Sequence, residues 1–128
     1  MLNETLLKKT LEPLKINLSN DSSDRLSQYF NLFAAKNSVM NLSAIRDDDG
    51  ITVKHFADSL ALLHFKEFEN GGKLLDLGTG GGFPGVPLLL SGNGFEVTFL
   101  DSTKKKTDFI RESLDKINYG RYRVLSER

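Results

Sequence analysis

Apolar residues recur at helical intervals through the first half of the chain, and then the period changes. Leu2, Leu6, Leu7, Leu11 and Leu14 share one helical face, and Pro13 strains or ends that helix. The polar cluster Ser19 to Ser23 suits the cap of a second helix, whose buried stripe is Leu26, Phe30, Phe33 and Ala34. Asp47-Asp48-Asp49-Gly50 reads as a loop. A third helix is predicted to start near Ile51 and to bury Phe56, Leu60 and Leu63. Residues 66–72 are polar and end in two glycines. They mark a boundary between a helical extension over 1–70 and a second unit over 71–128.

Beyond that boundary the apolar runs are short. Lys73 to Leu77, Phe95 to Leu100 and Tyr122 to Leu125 read as strands. Helical stretches over 84–91 and 103–117 separate them, and Phe109, Ile110, Leu114 and Ile117 form the apolar face of the second. The β-α-β-α-β order predicts an α/β fold with a parallel sheet and right-handed crossovers. Leu-Leu-Asp-Leu is nearly apolar on both faces, as suits a strand inside a parallel sheet. In a doubly wound order 3-2-1-4-5, two more strands lie beyond the first. None follows Arg128. The expectation is therefore a C-terminally truncated piece of a larger protein, or self-association through the exposed apolar edge of strand one.

Composition narrows the class without fixing it. The 128 residues fit one domain with a small appendage, and a 39% apolar content is ordinary for a globular chain. The absence of cysteine excludes disulfides and thiolate metal sites and suits a cytoplasmic location. The N-terminus has no charged start followed by a long apolar core, so no signal peptide is expected, and no apolar run reaches membrane-spanning length. Net charge is zero. Residues 1–70 hold 8 basic against 10 acidic side chains, and residues 71–128 hold 9 against 7. Nucleic-acid binding would have to use local patches.

The candidate chemistry lies in Leu74 to Pro87, Leu-Leu-Asp-Leu-Gly-Thr-Gly-Gly-Gly-Phe-Pro-Gly-Val-Pro. Glycines take positive φ without strain and admit a ligand close to the backbone. Free N–H groups at the start of the next helix would attract an anion. Phe83 could pack on a flat part of the ligand, and Pro84 suits the first helical position. Asp101 ends the next strand, where a carboxylate can accept both hydroxyls of a ribose. The competing readings are a tight turn with no ligand and, for Asp101, a helix cap, a role that Ser102 or Thr103 could fill equally well. Gly80, Gly82 and Gly85 fit a bare G-x-G-x-x-G, which is weak evidence. The Asp76, Gly78, Gly80, Gly82 spacing differs from a dinucleotide fingerprint. An acidic residue two before the first glycine suits the cationic sulfonium and ammonium groups of S-adenosylmethionine better than an anionic pyrophosphate.

This motif resembles that of the bacterial small-subunit ribosomal-RNA guanine-N7 methyltransferases, the RsmG or GidB family. Two further stretches share the resemblance in order and spacing. One is Asn41-Leu42-Ser43-Ala44-Ile45-Arg46 followed by His55-Phe56-Ala57-Asp58-Ser59-Leu60. The other is Leu100-Asp101-Ser102 followed by Lys105-Lys106 and Phe109-Ile110. The resemblance covers nearly the whole chain. It implies a class I, Rossmann-like S-adenosylmethionine methyltransferase sheet with an N-terminal helical extension. By resemblance Gly78 and Phe83 line the cofactor pocket and Asp101 takes the ribose. The candidate cofactor set is Asp76, Gly78, Thr79, Gly80, Gly82, Phe83, Asp101 and Ser102. The resemblance also implies further cofactor and RNA contacts after the third strand, where this chain ends.

The implied partner is 16S rRNA or the small ribosomal subunit, and the implied reaction is methylation of guanine N7. That nitrogen has a free lone pair and no proton to remove, so proximity and orientation should carry catalysis. The sequence holds no catalytic triad and no metal-ligand cluster. His55 and Asp58, three apart, share a helix face. They form a wall of the active-site cleft by resemblance, or a surface pair or structural hydrogen bond. Asn41 reads as a nucleobase contact or as a turn residue. Lys105, Lys106, Arg111 and Arg123 are the candidate RNA contacts, with Lys104, Arg121 and Arg128 nearby. They read as phosphate ligands or as a solvated helix face. Rival functions are a class I methyltransferase with another substrate, a non-catalytic nucleotide-binding module and, least, a nicotinamide oxidoreductase.

Overall fold

A computed structural model describes residues 1–127. Helix α1, Glu4–Leu11, is capped by Asn3, whose side chain accepts from Leu6 N–H, and it gives way at Glu12–Leu14 to a tighter 3₁₀ turn containing Pro13. Helix α2, Asn20–Asn37, starts at the Ser19 cap as expected. It buries Leu26, Phe30 and Phe33, together with Tyr29 and Asn37, while Ala34 is half-buried.

The third helical segment departs from expectation. It begins at Asp48, because Asp47 accepts from Gly50 N–H and caps α3, Asp48–Ile51. The expected loop is thus a helix start. A π-helical turn follows over Thr52–Ala57, then α4, Asp58–Leu60, and 3₁₀ turns over Ala61–His64 and Lys66–Phe68. Phe56 and Leu60 are buried, but Leu63 only half so.

The second half is β1 (Gly72–Leu77), α5 (Gly85–Leu90), β2 (Phe95–Asp101), α6 (Lys104–Ile117) and β3 (Arg121–Ser126). The strands form one parallel sheet in the order β1-β2-β3, with Asp76 opposite Phe99 and Phe99 opposite Val124. Fold class and strand polarity are therefore as the sequence indicates: a Rossmann-like α/β sheet preceded by helices.

Alternation along the strands divides the sheet into two unlike faces. Phe95, Val97, Phe99 and Val124 are buried under α5 and α6, and α2 packs against both helices. Buried side chains from α1 through β3 form one apolar cluster. On the opposite face Leu75 is 57% and Leu77 67% exposed, and beside them stand Thr98, Leu100, Arg121 and Arg123. Among the described residues no helix is long and apolar enough to cross a membrane.

Candidate functional site

The turn from Gly78 to Pro84 joins the C-terminal end of β1 to α5. It starts by pairing with β2, since Gly78 N–H and Thr79 N–H both donate to Leu100 O. Asp76 lies beneath it, 7% exposed. Its Oδ2 accepts from Thr79 Oγ1 at 2.7 Å and from Gly85 N–H at 3.0 Å. Burial pushes this carboxyl up, and these two hydrogen bonds work against the rise. Because Asp76 takes the Gly85 N–H, the helix begins at Gly85. Pro84 is its cap and not its first residue, after a cis Phe83–Pro84 bond.

The glycines divide by task. Gly78 (φ 64°) and Gly80 (φ 57°) have left-handed backbones, and a Cβ on either would meet open space or at nearest the Gly78 carbonyl oxygen at 4.0 Å. A flat ligand group can lie against the backbone there. Gly81 and Gly82 face inward instead. A Cβ on Gly81 would stand 2.6 Å from Phe33 and one on Gly82 2.5 Å from the Tyr29 hydroxyl. Thr79 is also turned inward, 3% exposed, by its bond to Asp76. Within the candidate cofactor set, Gly78 and Gly80 flank open space, whereas Thr79 and Gly82 hold the turn to its support.

The expected supply of free N–H groups at the helix start is not found. Gly80 donates to Asp101, Gly82 and Phe83 to Thr79 O, Gly85 to Asp76 and Val86 to Gly82 O. Apart from the Gly81 N–H, the amides of the turn are taken up by the protein's own carboxylates and carbonyls.

Asp101 stands at the C-terminal end of β2, half-buried. Its Oδ2 accepts from Gly80 N–H at 3.0 Å and its Oδ1 from Thr103 N–H at 2.9 Å. Burial pushes this carboxyl up, but the Thr103 and Gly80 N–H groups and the Lys106 charge outweigh it and hold it below the usual range. The group is an anionic acceptor with lone pairs to spare, placed beside the open glycines. Neither Ser102 nor Thr103 caps α6 with its side chain: Ser102 is exposed beside Asp101, and Thr103, the cap residue, makes no capping bond.

Phe83 is not free to cover a ligand on both faces. Its ring packs edge-on against Phe33 (5.1 Å) and Phe56 (5.4 Å), and His55 stacks on it at 4.7 Å with planes 10° apart. Tyr29 completes the cluster at 6.1 Å and donates its hydroxyl to Gly81 O at 2.5 Å. Burial, with the Asp76 charge behind it, holds the Tyr29 phenol well above its ordinary pKa, so it donates. The N-terminal helices thus clasp the glycine turn directly.

His55 is half-buried in the π-helical turn, and its Nε2 lies 2.7 Å from Ser43 Oγ. Burial lowers the imidazole pKa, with the Asp58 charge opposing. Asp58 is exposed on the same segment. Asn41 is exposed in the loop before α3 and bonds Arg46 through its side-chain oxygen. That loop is organised by buried Asn37, whose Oδ1 accepts from Leu42 and Ser43 N–H and whose Nδ2 donates to Ile45 O.

The four candidate RNA contacts do not form one patch. Lys105 is exposed at the start of α6 and Lys106 sits beside Asp101. Arg111 is tied down, donating to Asp108 at 3.2 Å and to Val124 O at 2.8 Å. Arg123 points to the opposite face of the sheet, aligned with Thr98. The alternation of β3 separates it from α6. Lys104 is paired with Asp108, Arg121 with Glu96, and Arg128 lies outside the described residues.

Sequence reasoning missed Tyr29, Asn37 and Ser43. Two of them carried a signal. Tyr29 and Asn37 continue the stripe Leu26, Phe30, Phe33 at helical spacing, and a polar residue on an apolar face points to a buried hydrogen bond. Ser43 lies in a stretch that shares the family resemblance, but its spacing gave no sign of its partner, which lies 12 residues away across a loop.

The family profile described as GidB, rRNA small subunit methyltransferase G, matches residues 22–128. The chain is 38% identical over 107 residues to a ribosomal RNA small subunit methyltransferase G of Alkaliphilus oremlandii, an alignment covering 84% of this chain and 45% of the relative. It is 33% identical over 123 residues to the protein of the same name in Clostridium beijerinckii, covering 96% and 52%. It is 36% identical over 107 residues to that of Lachnoclostridium phytofermentans, covering 84% and 44%. The chain spans about half the length of the curated relatives it matches. It belongs to the GidB family, rRNA small subunit methyltransferase G.

Proposed function

We propose that the chain carries the N-terminal helical extension (1–70) and the first half (71–128) of the cofactor domain of an S-adenosylmethionine-dependent methyltransferase. The proposed target is guanine N7 in 16S rRNA, free or in the small ribosomal subunit, in the cytoplasm. The observation that carries the cofactor class is the closed turn. Five of its N–H groups already have internal acceptors, and the Asp101 carboxylate lies at its edge, while Asp76 is buried beneath it. Such a turn disfavours a pyrophosphate and favours a ligand with cationic groups and a ribose.

Bound S-adenosylmethionine would supply an electrophilic methyl group on a sulfonium. Gly78 and Gly80 would admit its flat part against the backbone, and Asp101 would accept from its ribose. Asp76 and Thr79 hold the turn in shape from below. Guanine N7 needs no base, so the chain's contribution is orientation: His55 stacks on Phe83, Asp58 and Asn41 are exposed on the neighbouring helical segment and loop, and Lys105 and Lys106 offer charge to a phosphate. Catalysis then rests on bringing two reactants together, an effect worth several kcal/mol.

A chimera in which this chain replaces the matching half of the Alkaliphilus oremlandii relative tests the reading. With methyl-labelled cofactor and small-subunit RNA, digests should contain labelled N7-methylguanosine, and Asp101→Ala should remove it. Label in another nucleotide or in protein would move the reading to a class I methyltransferase of different substrate. No label with the chimera, where the relative alone gives it, would contradict the proposal.

A further inference from the structure

A serine outside the candidate set connects the loop over 38–46 to the glycine turn. Ser43 Oγ accepts from Ile45 N–H at 3.0 Å, which leaves its own proton for the imidazole nitrogen 2.7 Å away. Ser43 is itself fixed, since its N–H donates at 2.9 Å to Asn37, a residue 2% exposed. On its other side, His55 stacks on Phe83, the residue that follows Gly80 to Gly82. The backbone of His55 is also fixed, its carbonyl accepting from Ser59 Oγ at 2.5 Å, within a π-helical turn. Such turns are rare and gather at functional sites.

We propose that Ser43 is a positioning residue: its hydroxyl donates to His55 Nε2, selects which edge of the ring faces the loop, and through the stack sets the place of Phe83 and the glycine turn. Stacking alone fixes the plane of an imidazole but not its rotation within that plane. The hydrogen bond supplies the missing constraint. It also requires the tautomer protonated at Nδ1. The lowered basicity of His55 keeps the ring neutral near pH 7.5, so the tautomer is defined there. Only the last arm of the test rests on reading the turn as a cofactor site.

Long-range ¹H–¹⁵N spectra of this chain decide the tautomer without any variant. There are two histidines, and His64→Gln assigns them. His55 should show protonated Nδ1 and bare Nε2. Ser43→Ala should convert the ring to the Nε2–H form and move the amide signals of Gly81, Gly82 and Phe83, and Ser43→Thr should restore both. A bare Nδ1 in the unsubstituted chain, or unmoved turn amides in Ser43→Ala, overturns the proposal. Ser43→Ala should also weaken S-adenosylhomocysteine binding about fivefold, the worth of one ordinary hydrogen bond. Equal affinity would overturn the link to the cofactor. If neither the unsubstituted chain nor its chimera with the Alkaliphilus oremlandii relative binds S-adenosylhomocysteine while the spectra behave as stated, the cofactor reading fails and the positioning claim stands.

Discussion

Two tyrosines differ in what their hydroxyl groups hold, and only Tyr29 supports the glycine turn. The Tyr29 hydroxyl donates to Gly81 O in a fully buried setting, and the Tyr122 hydroxyl donates to Asp115 at an exposed one. Removing a buried donor leaves a carbonyl unpaired and costs about 1–3 kcal/mol, whereas an exposed group turns to water. Tyr29→Phe should therefore lower the urea midpoint measurably and Tyr122→Phe scarcely at all. Equal effects would contradict the assigned role. His55 makes a second test. Its folded pKa lies below the unfolded value of about 6.5. Between the two values the unfolded chain binds more protons, so this contribution to stability is full above about pH 6.5 and is lost as pH falls through the folded pKa. Urea midpoints at about pH 7.5 and 5.5 should show a drop that is smaller in His55→Gln. The same drop in both chains would show that His55 is not responsible.

At the scale of elements, the start of α5 is fixed by close approach more than by helix propensity. A Cβ on Gly85 would stand 2.4 Å from Phe99 and 2.7 Å from Asp76 Oδ2. Neither can yield, since Phe99 is fully buried and Asp76 is bonded to the turn. Gly85→Ala should thus destabilise by about 1–3 kcal/mol through overpacking, although alanine is the better helix former. A neutral or stabilising result in urea unfolding would show that α5 slides freely. The strands, α2 and α6 were legible from their periods, and α2 also from its Ser19 cap. The segment after Asp47 was not. Three consecutive aspartates and a glycine carry loop composition, yet Asp47 spends its side chain on Gly50 N–H and starts a helix. The π-helical turn has no signature in hydrophobic spacing, because it is set by backbone pairing and shifts the face on which His55 emerges.

For the whole molecule, one sheet face is covered and the other is bare. The glycine motif, Asp101 and the parallel order were all readable from the sequence. The division of the glycines into open and packed ones was not, since it depends on how α2 crosses beneath the turn. Nor was the split of the basic residues, which follows from strand alternation placing Arg123 away from α6. Exposed Leu75 and Leu77, on an edge strand, are expected to drive self-association. Sedimentation should show mass rising with concentration, and Leu75→Lys with Leu77→Lys should abolish the rise. A chain that stays monomeric at all concentrations would exclude that expectation.

The central claim is that the turn from Gly78 to Phe83, with Asp101, binds a cationic nucleoside cofactor. Calorimetric titration of this chain with S-adenosylhomocysteine, with NAD as control, tests it most directly. The account predicts saturable binding of S-adenosylhomocysteine alone, lost in Asp101→Ala. Preference for NAD, or no binding of S-adenosylhomocysteine by this chain and by its chimera with the Alkaliphilus oremlandii relative alike, would contradict it.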